Sequence, residues 1–145
     1  MMTLTEAQIN EIAEELECGS KCYVHKKTGE LVFVPDTLRN PDIDTDGWIE
    51  EIEKIEDNFF DYFEIEPPES RDSFRIMEEF TETLDDSNSL KNMLYEALSR
   101  GKPFRNFKNI IDNSGEYRQK WFAFERQWLK EWVREKIEHI NFDDK

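Results

Sequence analysis

Cysteine, basic charge and long apolar runs are all scarce in this chain, and each scarcity excludes something. The two cysteines, Cys18 and Cys22, lie four residues apart around Gly19, a poor spacing for a strain-free bridge. Two thiols in a chain of this length predict a reducing compartment rather than a disulfide framework. No run approaches the roughly 20 apolar residues of a membrane helix. The opening MMTLTEAQINEIAEELE is acidic and polar, which predicts no signal peptide. The expectation is a cytoplasmic protein with no membrane contact. G-x-S-x-G, Walker A, G-x-G-x-x-G and H-E-x-x-H patterns are all missing, so no familiar hydrolase, nucleotide or zinc-protease motif is present.

What the chain does hold is rings and carboxylates. Its 145 residues suit one domain, 1–145, with one core. Aromatics make up 13%, including 11 Phe and 4 Trp, and large rings bury much area per residue. The formal net charge is −15. Residues 1–90 hold 7 Lys/Arg against 25 Asp/Glu, whereas residues 91–145 hold 12 against 9. An acidic front half repels phosphates, which argues against nucleic acid as a partner. It serves either as a solubilising surface or as a face for a basic partner, including the basic half of a second copy in a homodimer.

Residues 4–17 carry Leu4, Ile9, Ile12, Ala13 and Leu16 near one helical face, with a Thr3/Glu6 capping-box pattern and Gly19 as the stop. Residues 21–34 predict a β-hairpin: KCYVH and ELVFV are β-branched and aromatic, and KKTG supplies the turn. A loop over 36–46, a short acidic helix over 47–57 and a third strand over 59–65 follow. The rest predicts helices. Ser70 caps one, Ser87 or Ser89 caps the next, Pro103 opens a third, and Gly115 precedes a long one over about 116–139. The expected fold class is α+β, mostly helical, with a small antiparallel sheet.

The long helix has two apolar arcs. Tyr117, Trp121, Phe124, Trp128 and Trp132 line one; Leu129, Val133, Ile137 and Ile140 line another, displaced by roughly 120° at about 100° per residue. The first half is expected to pack on the core. The second half docks either on the N-terminal helix of the same chain or on a second subunit.

VFVP (32–35), FEIEPPESRDSFRIMEEF (63–80), GKPFRNFKNII (101–111) and WFAFE (121–125) resemble the bacterial uncharacterised protein family 0158. The resemblance runs from the hairpin to the last helix. It implies a bacterial cytoplasmic protein and brings with it no catalytic residue, cofactor or substrate.

Three constellations are candidates for chemistry. Asp42, Asp44, Asp46, Gly47, Trp48 and Glu53 fit the EF-hand loop, with side-chain oxygens from the aspartates, a carbonyl from Trp48 and a bidentate carboxylate from Glu53 for Ca²⁺. Pro41 and the lack of an incoming helix or a second copy oppose that reading. The alternative is a loop in which Asp46 caps the following helix. Cys18, Cys22 and His25 offer three zinc-type donors where a structural site needs four; the alternative is two packed thiols and a surface histidine. Arg105 and Lys108 share a helical face beside Phe104 and Phe107, which suits phosphate or RNA binding or, in keeping with the whole-chain charge, pairing with the acidic front half.

The leading functional expectation is a non-enzymatic binding or adaptor protein. Its contacts would come from the acidic surface and the ring-rich helix, through Arg105, Lys108, Trp128 and Trp132. The alternative is a calcium- or magnesium-responsive protein using residues 42–53, and a third reading is a metal-dependent hydrolase.

Overall fold

The computed structural model describes residues 3–38 and 41–143. Residues 1 and 2 of the opening segment and 39 and 40 of the predicted loop lie outside them. Helix α1 spans Glu6–Glu17, β1 Ser20–His25, β2 Leu31–Pro35, α2 Ile49–Asp57 and β3 Tyr62–Ile65. Helices α3 (Ser70–Glu82), α4 (Ser89–Ser99), α5 (Pro103–Asp112) and α6 (Tyr117–Asp143) follow. The chain is therefore mostly helical α+β with one antiparallel sheet, in the order β2-β1-β3. Among the described residues no helix is long and apolar enough to cross a membrane.

The described chain divides into two compact units. One comprises residues 1–67 and 129–145, the other residues 68–128. Charge divides with them. The first holds 9 Lys/Arg against 23 Asp/Glu, a net −14, and the second 10 against 11, a net −1.

In the first unit the sheet is covered on both faces, and strand parity decides what goes where. Cys22 and Val24 of β1 share a face with Leu31 and Phe33 of β2 and with Phe63 and Ile65 of β3. That face packs against Ile9, Ile12 and Leu16 of α1 and Val133 and Ile137 of α6. Tyr23, Val32, Val34 and Tyr62 point the other way and meet Ile52 and Ile55 of α2. The hairpin turn closes on Gly29 at φ +73°, a backbone region that costs glycine little. In the second unit Phe107, Phe80 and Trp121 form an edge-to-face ring cluster, with centroids 4.9 Å apart for Phe107–Trp121 and 5.4 Å for Phe80–Trp121. Ile76, Leu94, Leu98 and Ile111 surround it.

The first and second halves of α6 find separate partners. Tyr117, Trp121, Phe124 and Trp128 belong to the ring cluster, while Trp132, the last member of the first arc, joins Val133, Ile137 and Ile140 in the cluster with α1. Of the two docking surfaces expected for the second arc, the N-terminal helix of the same chain is the one used. Arg134 and Lys130 of α6 also pair with Glu6, the latter at 3.2 Å, and together hold its carboxyl below the usual carboxylate range.

Several local expectations are corrected. The capping box of α1 is Thr5 with Gln8, two residues beyond the predicted Thr3/Glu6: Gln8 N–H donates to Thr5 Oγ1 at 3.1 Å and Thr5 N–H to Gln8 Oε1 at 2.9 Å. The same spacing of three recurs there, and Glu6 is already engaged by cations. Ser70 is the first helical residue rather than the cap; Glu69 caps, and its N–H donates to Asp72 at 3.1 Å. Asn88, not Ser87 or Ser89, caps α4 by accepting from Leu90 N–H at 2.9 Å. Asparagine ranks with serine at such positions, so local sequence did not separate them. The third strand begins at Tyr62 rather than Phe59. Residues Phe59–Asp61 form a 3-10 turn, whose end ties to the hairpin through Lys26 N–H donating to the Asp61 carbonyl.

Candidate functional site

The most distinctive surface feature of the first unit lies along β2. Ladder bonds outside the strands give its phase: His25 N–H donates to Glu30 O at 2.9 Å and Asp36 N–H to Gly19 O at 3.3 Å. Antiparallel pairs alternate between bonded and non-bonded. The register then puts Tyr23/Val32 and Lys21/Val34 in the ladder and turns the N–H and C=O of Leu31 and Phe33 away from β1. Because β1 is central, β2 has no strand on that side among the described residues.

An open cleft of about 600 Å³ sits on this edge, lined by Glu30 before β2, Leu31 to Phe33 of β2, Glu15 of α1, and Trp48, Glu50, Glu51 and Lys54 at and within α2. Helices α1 and α2 cover opposite faces of the sheet, so a cleft touching both and β2 has the strand edge as its floor. Its walls are acidic. Lys54 is neutralised by Glu30 at 2.6 Å, and Tyr62 OH also donates to Glu30 at 3.0 Å. Lys54 first and Tyr62 second hold the Glu30 carboxyl below its ordinary value. Among the described residues Glu15, Glu50 and Glu51 make no ion pair. Trp48, 36% exposed, stands at the rim. The arrangement can present main-chain donors and acceptors between carboxylates, and no nucleophile–base pair is part of it.

A family model described as "Uncharacterised protein family (UPF0158)" matches residues 1–144. The chain belongs to this family. A UPF0158 protein of Pseudomonas aeruginosa is 25% identical over 132 residues, covering 90% of this chain and 80% of that protein. No solved structure matches.

The residues singled out from sequence fall as follows in this UPF0158 chain. Asp42, Asp44 and Asp46 are exposed, and Asp44 Oδ1 accepts from Asp46 N–H at 2.9 Å, a local Asx-type turn. Asp46 makes no side-chain cap to the helix; it opens a short 3-10 turn through Trp48. Glu53 lies exposed on α2. Among the described residues, no three His, Cys, Asp or Glu side chains group as a metal cage. Of the predicted metal set, Trp48 alone lines the cleft.

Cys22 and His25 are three apart on one strand and so face opposite sides of the sheet. His25 Nδ1 accepts from Lys27 and Thr28 N–H in the hairpin turn, at 3.1 and 3.2 Å, and its ring stands edge-on to Tyr62. Cys22 is buried, and burial pushes its thiol far above the ordinary range; Cys18 is exposed at the end of α1. Iodoacetamide at about pH 8 is therefore expected to add one carbamidomethyl group to the native protein and two after denaturation, read by intact mass, since the thiolate is the nucleophile. Two additions without denaturant would contradict the buried position of Cys22.

Arg105 and Lys108 are exposed on α5. Trp128 and Trp132 are half-buried and committed within the chain. Trp128 Nε1 donates to Glu79 at 2.9 Å, and Trp132 Nε1 donates to the Glu66 carbonyl at 3.1 Å, with Lys136 stacked over the Trp132 ring. Sequence reasoning missed Glu15, Glu30, Glu50 and Glu51 as a group, and it missed the strand edge. No local signal marks them, because they come from three separated segments. It also placed Phe59 in a strand, whereas Phe59 and the 84% exposed Phe60 protrude beside β3. Two adjacent phenylalanines in a strand would face opposite sides, which was the available clue.

Proposed function

We propose that this UPF0158 chain is a non-enzymatic binding protein of the cytoplasm whose acidic cleft on β2 holds a basic segment of a partner protein. The observation that carries this reading is the joint placement of Glu15, Glu50 and Glu51, without ion pairs among the described residues, beside the outward-facing backbone of β2. The net −14 of the surrounding unit adds a field that draws in cations at low salt. The exposed Cys18 thiol suits a reducing compartment. The contact surface differs from the one expected at sequence level: the acidic face is kept, and the indoles of Trp128 and Trp132, already bonded within the chain, give way to Trp48.

The test is a fluorescence titration with a blocked cationic peptide, alongside a glutamate-rich peptide and duplex DNA. The cationic peptide is expected to change tryptophan emission, a change that Trp48→Phe removes, and to bind more weakly as salt rises. A Glu50→Gln/Glu51→Gln double variant should bind about five- to tenfold more weakly, the order expected for two partly exposed charge pairs. Equal binding by that variant, or a preference for DNA, would remove the reading.

A further inference from the structure

We infer that the partner segment enters this cleft as an added β-strand, pairing its backbone with Leu31 and Phe33 and becoming the fourth strand of the sheet. The inference rests on the acidic-cleft reading and specifies its occupant: an extended, basic peptide of another protein.

The two edges of the sheet are built differently. On β3 the strand is four residues long, Pro67 and Pro68 follow it, and the Glu66 carbonyl just beyond its end accepts from Trp132 Nε1. Short length, prolines and a covering side chain are the usual devices that keep an edge from pairing. On β2, Leu31 and Phe33 each offer an N–H and a C=O outward, and neither makes a further backbone bond among the described residues. Pro35 has no N–H and ends the usable edge, so a guest strand exchanges bonds with two residues at its centre. Strand addition draws affinity from such main-chain bonds and specificity from alternate side chains.

Charge and parity then describe the guest. Guest side chains alternate between the two faces of the sheet. One set lies on the face of Leu31 and Phe33, where apolar groups find carbon surface. The other turns toward α2, where Glu50 and Glu51 wait for cations. A second copy of this chain does not fit. Its own β2 edge would bring the same carboxylates face to face, and its basic residues from Arg100 onward are carried almost entirely on helices.

The deciding experiment uses a blocked octapeptide of alternating lysine and valine, and the same peptide N-methylated at every second residue. Binding is followed by tryptophan fluorescence and by amide hydrogen exchange of the full chain. The expected result is binding of the first peptide with slowed exchange at Leu31 and Phe33. N-methylation on the residues facing β2 should weaken it about tenfold or more, because the bonding N–H groups are lost. Salt-sensitive binding that is indifferent to N-methylation and leaves both amides unprotected would overturn strand addition while leaving the acidic-cleft reading intact. No binding by either peptide would overturn both.

Discussion

Phe107→Ala is expected to lose about 3–5 kcal/mol of stability, the range for truncating a buried phenylalanine. Phe107 is fully buried and stands edge-to-face with Trp121 at 4.9 Å and with Phe80 at 6.5 Å. Removing the ring takes away apolar area and two quadrupole contacts, and it leaves a hole that rigid neighbours do not fill. Domains of this size hold about 5–15 kcal/mol in total, so the variant should sit at the margin of folding. Phe107→Leu refills part of the hole and should cost clearly less. Urea melts give the magnitude, and near-UV circular dichroism follows the loss of Trp121 ordering. An alanine variant within about 1 kcal/mol of the parent would mean that this ring is not the centre of its cluster.

Val133→Asp tests the other cluster. Val133 is fully buried beside Ile9, Ile12 and Leu16 of α1 and Ile137 of α6. An aspartate there must bury a charge among apolar side chains or take up a proton. Either route costs several kcal/mol, on the order of 3–5 for an uncompensated buried charge. The expected outcome is a protein that fails to fold or melts far below the parent, and that recovers partly at acid pH as the carboxyl is neutralised. The sign follows from burial: desolvation raises the folded pKa above the unfolded one, so the penalty shrinks as pH falls through the folded value. Glu135→Gln, two residues on and exposed, is the control and should shift Tm little. A stable Val133→Asp protein at neutral pH would show that α1 does not cover this part of α6.

These two substitutions probe features readable in different degrees from the chain alone. The migrating stripe of α6 was visible as two arcs about 120° apart. That Trp121 and Val133 serve different clusters follows from it. Which surface receives the second arc was not visible, because a helix face records that something apolar covers it and not what. The hairpin was legible for a local reason: β-branched and aromatic runs flank a four-residue turn with one glycine, and the strands pair in the register that the turn permits. Caps were readable to within two residues, since Thr3, Thr5, Ser87, Asn88 and Ser89 are near-equivalent acceptors and the winner is the one whose helix geometry the tertiary contacts favour.

Of the site, only the acidic charge and Trp48 were singled out in the sequence, and Trp48 for a different role. Glu15, Glu30, Glu50 and Glu51 are ordinary members of an acidic composition until the sheet order is known. Had β3 paired with β2 instead of β1, the same residues would have flanked a filled edge. Sequence by itself determined the α+β class, the acidic charge, the hairpin and the apolar faces, because each depends on neighbours within a few residues along the chain. Only the tertiary structure decided that β1 is central, that β2 keeps an open edge and that α1 and α2 wall it with carboxylates. Those outcomes depend on contacts between segments tens of residues apart, where the choice is set by the total surface buried rather than by any local preference.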